Sequence, residues 1–148
     1  DFDLDLAVRQ DSDNPVYYVQ YAHARICSLV SRLTEEGAQV PDAAAVDASL
    51  FTTAEEKALI KTLSQLPEVI RISARDYDPS HVNRYLITLA GDFHRFYNAC
   101  RIKGEEAHVL SARLKLADTV RSVIANCLAL IGVTEPRRKT CGVFVLYK

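Results

Sequence analysis

Apolar residues recur every three or four positions along most of this chain, the spacing that puts them on one face of an α-helix. The first such stripe runs through Val16, Val19, Ala22 or His23, Ile26, Val30 and Leu33. Asn14-Pro15 supplies an N-cap followed by a proline at the first helical position, and Gly37 is placed as its stop. Gln39 to Leu50 is rich in Ala and Asp, contains Pro41, and reads as a loop. Thr53-Ala54-Glu55-Glu56 has the capping-box pattern and opens a helix through Leu59, Ile60, Leu63 and Leu66. Pro67 predicts a break there, with a further helix through Val69, Ile70 and Ile72. Asp78-Pro79 repeats the cap-plus-proline start before a stripe of Val82, Leu86, Leu89, Phe93, Phe96 and Cys100. Beyond Gly104, Leu110, Leu114, Ala117, Val120, Ile124, Cys127 or Leu128, and Ile131 form the last stripe, ending at Gly132. Glu105 and Glu106 suit its positive N-terminal end. Long amphipathic helices with short links predict an all-α helical bundle.

Composition narrows what such a bundle does. With 148 residues and 49% apolar content the chain forms one soluble domain that buries roughly two thirds of its unfolded surface. A net charge of −1 gives no global attraction to nucleic acid or an acidic membrane, so any such partner must meet a local basic patch. Cys27, Cys100, Cys127 and Cys141 are far apart and form no CxxC pair, which suggests reduced, mostly buried thiols rather than a zinc site or a disulfide framework. There is no signal-peptide pattern and no run of the ~18 apolar residues that a membrane span needs. The absence of methionine, position 1 included, points to a processed chain or a segment of a longer protein.

Candidate catalytic groups each have a plainer reading. His94 and Cys100 are six residues apart, on different faces of one helix, and Cys100 belongs to the apolar stripe. Glu105 and Glu106 are helix-start charges, and no P-loop, GxGxxG or HExxH pattern occurs. Binding is the better reading. Tyr18, Tyr21 and Arg25 fall at i, i+3 and i+7, away from the aliphatic stripe, and Arg32 extends the row. His94, Tyr97, Asn98 and Arg101 make a similar row, with Phe93 and Phe96 turned to the core. Tyrosine rings stack on unpaired bases and arginines hold phosphates, which is how single-stranded RNA loops are read. The competing reading is half-buried tyrosine packing with the hydroxyl at the surface.

Three longer stretches carry a resemblance: NPVYYVQYAHARI (14–26), LAGDFHRFYNACRI (89–102) and ARLKLADTVRSVIANCLALIGV (112–133). In this order they resemble arginyl-tRNA synthetase over about residues 14 to 139, and DTVR at Asp118 to Arg121 is a variant of the DALR tetrapeptide that names the family's anticodon-binding domain. The resemblance implies a class I synthetase anticodon-binding (DALR) bundle at residues 15–139. Residues 1–14 then end the catalytic region, and 140–148 form a tail whose β-prone CGVFVLYK fits none of the helical pattern. It implies a part that binds the anticodon loop of arginine tRNA, alongside a catalytic domain of the same enzyme. That domain would use ATP and magnesium to ligate arginine to the tRNA, in a cytoplasmic monomer. HIGH-like and KMSKS-like signatures are missing, so the segment itself is expected to need no cofactor and to be non-catalytic. By motif match, Tyr18, Tyr21 and Tyr97 contact the anticodon loop, with Arg25 beside them. Arg101, where some relatives have an aromatic ring, is assigned to phosphate contact rather than stacking. Family members commonly end in a short ERM-like sequence, whereas here GVTEPRRK at Gly132 to Lys139 is followed by nine further residues. Two rival readings remain: a helical protein-interaction module that kept the fold, and the anticodon domain of another class I synthetase.

Overall fold

A computed structural model of the chain describes residues 13–134. They form α1 (Pro15–Glu35), α2 (Ala54–Ser64), α3 (Leu66–Asp76), α4 (Ser80–Ala99) and α5 (Ala107–Leu130), with no strand among the described residues. The expected all-α bundle is the observed architecture. Residues 1–12 of the expected connector, the tail 140–148, the boundary at residue 139, and Arg137, Arg138 and Cys141 lie outside the described residues.

The capping signals of α1 and α2 act where the sequence places them, whereas α4 begins at Ser80, with Pro79 at its N-cap and Asp78 Oδ1 accepting the Ser80 amide at 2.9 Å. Asn14 Oδ1 accepts the amides of Val16 at 3.1 Å and Tyr17 at 3.4 Å, so α1 starts at Pro15. At its other end Gly37 takes φ +97°, and the Ala38 amide donates back to Leu33 O at 2.9 Å, a Schellman closure that needs a residue tolerant of the left-handed region. Gly132 (φ +74°) ends α5 in the same way, with Val133 N to Leu128 O at 2.9 Å. The capping box of α2 is reciprocal: Glu56 N donates to Thr53 Oγ1 and Thr53 N to Glu56 Oε2. The expected break at Pro67 falls instead at Gln65, and Leu66 begins α3 rather than ending α2. The physical reason is that proline lacks an amide donor and is tolerated only in a first turn, so the new helix starts just before it. Gln39 to Leu50 is a loop interrupted by two 3₁₀ turns, Ala43–Ala45 and Ala48–Leu50.

α4 is the central element and packs against all four other helices, while α1 pairs with α5. Its whole predicted stripe is buried, with Phe93, Phe96 and Leu89 fully enclosed. The stripes of α1 and α5 close on it through Ile26, Leu33, Leu114 and Ile124, whereas Val16 at the start of α1 is exposed. No residue of α3 is fully buried; Leu66, Val69 and Ile70 lie half-buried over the core's edge. Polar ties add register: Thr62 Oγ1 donates to the buried Asp92 at 2.6 Å, and Gln20 Nε2 to Thr134 O at 2.8 Å. Asp92 also binds Arg95 one turn on.

Gly91, inside α4, gives a direct stability prediction. A Cβ there meets only the Tyr18 hydroxyl at 3.7 Å and Arg95 Nη1 at 3.8 Å, both ordinary contacts. Gly91→Ala should therefore recover most of the helix-propensity difference, about 0.5–1 kcal/mol. In a domain of this size the melting temperature should rise by about 1–4 °C. A fall on thermal denaturation would mean that the Tyr18 ring cannot yield.

Candidate nucleic-acid interface

The two polar rows recognised in the sequence meet in space, because α1 and α4 pack side by side with Tyr18, Tyr21 and Arg25 facing His94 and Tyr97. Tyr17, Tyr18, Tyr21 and His94 line a pocket of about 250 Å³. That is below the roughly 300–1,000 Å³ of drug-sized ligand pockets and suits a single planar ring. Tyr17 and Tyr21 stack with ring centroids 6.4 Å apart, one helical turn from each other. Tyr18 does not stand free of the apolar side. It is half-buried against the core, and its ring tilts over His94 at 5.1 Å, while Tyr21 reaches His94 at 6.0 Å. Burial, helped by the charge of Arg25, lowers the pKa of His94, so the imidazole is neutral at pH 7 with one donor and one acceptor.

The aromatic pocket opens into a cationic one. Tyr21 and Arg25 continue into a space of about 240 Å³ that Ser28, Leu29, Arg32 and Tyr97 also line. Leu29, Arg32 and Tyr97 then border a pocket of about 410 Å³ reaching Arg101 and Lys103. The Arg25 guanidinium lies 4.3 Å from the Tyr97 ring centroid, a cation–π contact, and Phe93 supports Tyr97 from within at 5.9 Å. A face of Tyr97 is thus already covered, and the surface offered there is a guanidinium plane, on which bases also stack.

Charge distribution singles out the same groove. Among the described residues Arg71, Arg75, Arg95, Arg113 and Arg121 each have a carboxylate within ion-pair distance, and Arg84 meets His81. Arg25, Arg32 and Arg101 have no carboxylate partner, and all three line the groove. Among the described residues, the guanidinium groups without a carboxylate partner therefore lie in one place, in a chain of net charge −1. Lys103 differs, since its ammonium bonds Glu36 at 2.6 Å.

All five sequence-assigned residues, Tyr18, Tyr21, Arg25, Tyr97 and Arg101, line this groove. Asn98, from the same row, is exposed and is not among the lining residues. Sequence reasoning missed Tyr17 and did not assign His94 or Arg32, which also line the groove. The available signals were the i, i+4 spacing of Tyr17 to Tyr21 and the place of Arg32 seven residues beyond Arg25. The catalytic readings find no support in this geometry. Cys100 is buried with its thiol against Thr53 Oγ1 at 3.2 Å, and burial pushes its pKa up, whereas His94 sits among tyrosines. Cys27 is partly exposed, and Cys100 and Cys127 are buried free thiols. In DTVR, Arg121 Nε bonds Asp118 Oδ1 at 2.8 Å, an ion pair within one turn of α5.

A helical bundle with an aromatic and cationic groove between its first and central long helices matches a known class. Residues 19–138 match the DALR anticodon binding domain, and the chain belongs to this family. Its relatives include the arginine–tRNA ligases of Ruminiclostridium cellulolyticum and Acetivibrio thermocellus, 52% and 51% identical over 138 residues. In both cases the match covers 93% of this chain and 24% of the ligase, so the chain spans about a quarter of their length. The arginyl-tRNA synthetase structure of Thermus thermophilus superposes with a TM-score of 0.78 at 27% identity, over 93% of this chain and 23% of that one. No helix of the described residues is long and apolar enough to cross a membrane.

Proposed function

We propose that this chain grips the anticodon arm of an arginine tRNA as part of a cytoplasmic, monomeric arginine–tRNA ligase. The observation that carries the reading is the convergence of Tyr17, Tyr18, Tyr21 and His94 with the unpaired Arg25, Arg32 and Arg101 along one groove. A splayed base enters the tyrosine pocket and stacks there, while the neutral His94 meets a base edge with its donor or acceptor. A second base lies on the Arg25–Tyr97 stack, and Arg32 and Arg101 hold the phosphates between and beyond. Arginine, ATP and magnesium are handled by the catalytic domain of the same enzyme. Among the described residues no group of three His, Cys, Asp or Glu side chains could hold a metal ion, and the chain has no phosphate-cradling glycine loop.

The test is a titration of the chain with the arginine anticodon stem–loop, and with a loop changed at the middle base, across a salt series. Two phosphate-directed arginines, Arg32 and Arg101, give a slope of log affinity against log salt of about 1.4, at 0.7 per contact for single strands. Tyr21→Ala should weaken binding by about 1–3 kcal/mol, the stacking range, by the same amount at every salt concentration. Tyr97→Ala should fall in the same range while helix content stays unchanged. A steep slope with equal affinity for both loops would show electrostatic adsorption without readout. Absence of binding would favour the protein-interaction reading.

A further inference from the structure

Arg113, on α5, is nearly buried and joins three parts of the fold. Its Nε donates to Glu56 Oε1 at 2.7 Å, and its Nη1 donates to the carbonyl of Arg101 at 2.6 Å. The same Nη1 lies 3.6 Å from Glu105 Oε1. Glu56 is completely buried and engaged at its other oxygen by the Thr53 amide. One guanidinium thus ties the start of α2 to the connection between α4 and α5. A buried ion pair contributes little net stability compared with an apolar pair of similar volume. What this one supplies is a second, rigidly aimed donor on the Arg101 peptide, which the planar fork of arginine provides and a lysine point charge does not.

The Arg101 residue is held from both sides. Its carbonyl accepts from Arg113, and its exposed side chain lies over Gly104, where a Cβ would come within 3.8 Å of Nε. The neighbours of Arg101 on either side, Cys100 and Ile102, are buried, so the peptide between them has little freedom to turn. We infer that Arg113 is a positioning residue for RNA: by fixing the Arg101 carbonyl inward it directs the Arg101 guanidinium into the groove beside Arg32 and Tyr97, at the phosphate next to the base on Tyr97. This rests on the anticodon reading above and adds a residue that touches no RNA itself.

The experiment measures stem–loop affinity against salt for the 148-residue chain. The main variant is Glu56→Gln/Arg113→Met, which keeps a hydrogen-bonding group for the Thr53 amide and leaves no buried charge unpaired. Arg101→Ala alone should remove about 0.7 of the slope, about fivefold in affinity at 0.1 M salt relative to 1 M. The double variant should lose the same amount with helix content intact. Arg101→Ala should then cost nothing further in that background, whereas Tyr21→Ala should keep its full effect. A merely structural role would weaken both contributions together, and that result, or an Arg101→Ala penalty that persists in full, overturns the inference. Should the double variant not fold, Arg113→Lys keeps the charge beside Glu56 with a single donor point, and the same non-additivity with Arg101→Ala decides. If the unaltered chain fails to bind the stem–loop, the anticodon reading itself is wrong and this inference falls with it.

Discussion

Arg113→Ala should lower stability at neutral pH by about 3–5 kcal/mol, the cost of breaking a buried pair from one side. It leaves Glu56 fully enclosed with a charge that the Thr53 amide alone cannot compensate, and it orphans the Arg101 carbonyl as well. The pH dependence separates this cause from a simple cavity. In the intact protein burial pushes the Glu56 pKa up, but the Thr53 amide and Arg113 outweigh it and hold the carboxyl below its ordinary 4.5. With a depressed folded-state pKa, the stability that Glu56 contributes is present above pH 4.5 and is lost as pH falls through the lower folded value. Without Arg113 two of the contributions that hold it down are lost and the folded pKa rises, so protonation of Glu56 relieves the variant at a higher pH than it does the intact protein. The stability gap between the two proteins should narrow as pH falls from 7 toward 4 in denaturant titrations. A gap that stays constant over this range would mean that lost packing, not an unpaired carboxylate, is responsible.

That pair also shows where sequence reading stops. The helices were legible because their signals are local: a capping box at Thr53 to Glu56, glycines at 37 and 132, and stripes at three-to-four spacing. Glu56 could be read as a cap residue, yet its second role depends on Arg113, 57 positions away, and no periodicity links the two. The candidate site was half legible for the same reason. Each polar row was visible on its own helix, but the cation–π contact of Arg25 on Tyr97 and the position of His94 beneath Tyr18 follow from the register in which α1 meets α4. Tyr18 was read as facing away from the apolar stripe, and its half-buried ring shows how much a neighbouring helix alters an exposure inferred from spacing alone. The unpaired state of Arg25, Arg32 and Arg101 could not be known before the partners of every other described arginine were located.

Phe93→Ala joins the core to the groove and should be comparably severe. The ring is fully buried in α4 and touches Phe96 at 6.3 Å on the core side, and His94 at 5.8 Å and Tyr97 at 5.9 Å on the groove side. Removing it from a close-packed interior costs the transfer of the ring plus the cavity left behind, about 3–5 kcal/mol. A second consequence separates this position from an ordinary core site. Tyr97 and His94 lose the surface that fixes their rings, so in the fraction that remains folded the Tyr97 stack and the tyrosine pocket are less well formed before RNA arrives. Stem–loop binding should therefore weaken beyond what the lost folded population explains, and Tyr97→Ala should cost less in the Phe93→Ala background than in the intact chain. Ile124→Ala provides the contrast: it is also fully buried, but on α5 and not among the residues lining the groove. It should lower stability by about 2–5 kcal/mol while the folded fraction binds the loop as the intact chain does. Equal losses of binding per folded molecule in the two variants would show that the groove depends on global rigidity, and that the support Phe93 gives to His94 and Tyr97 is not specific.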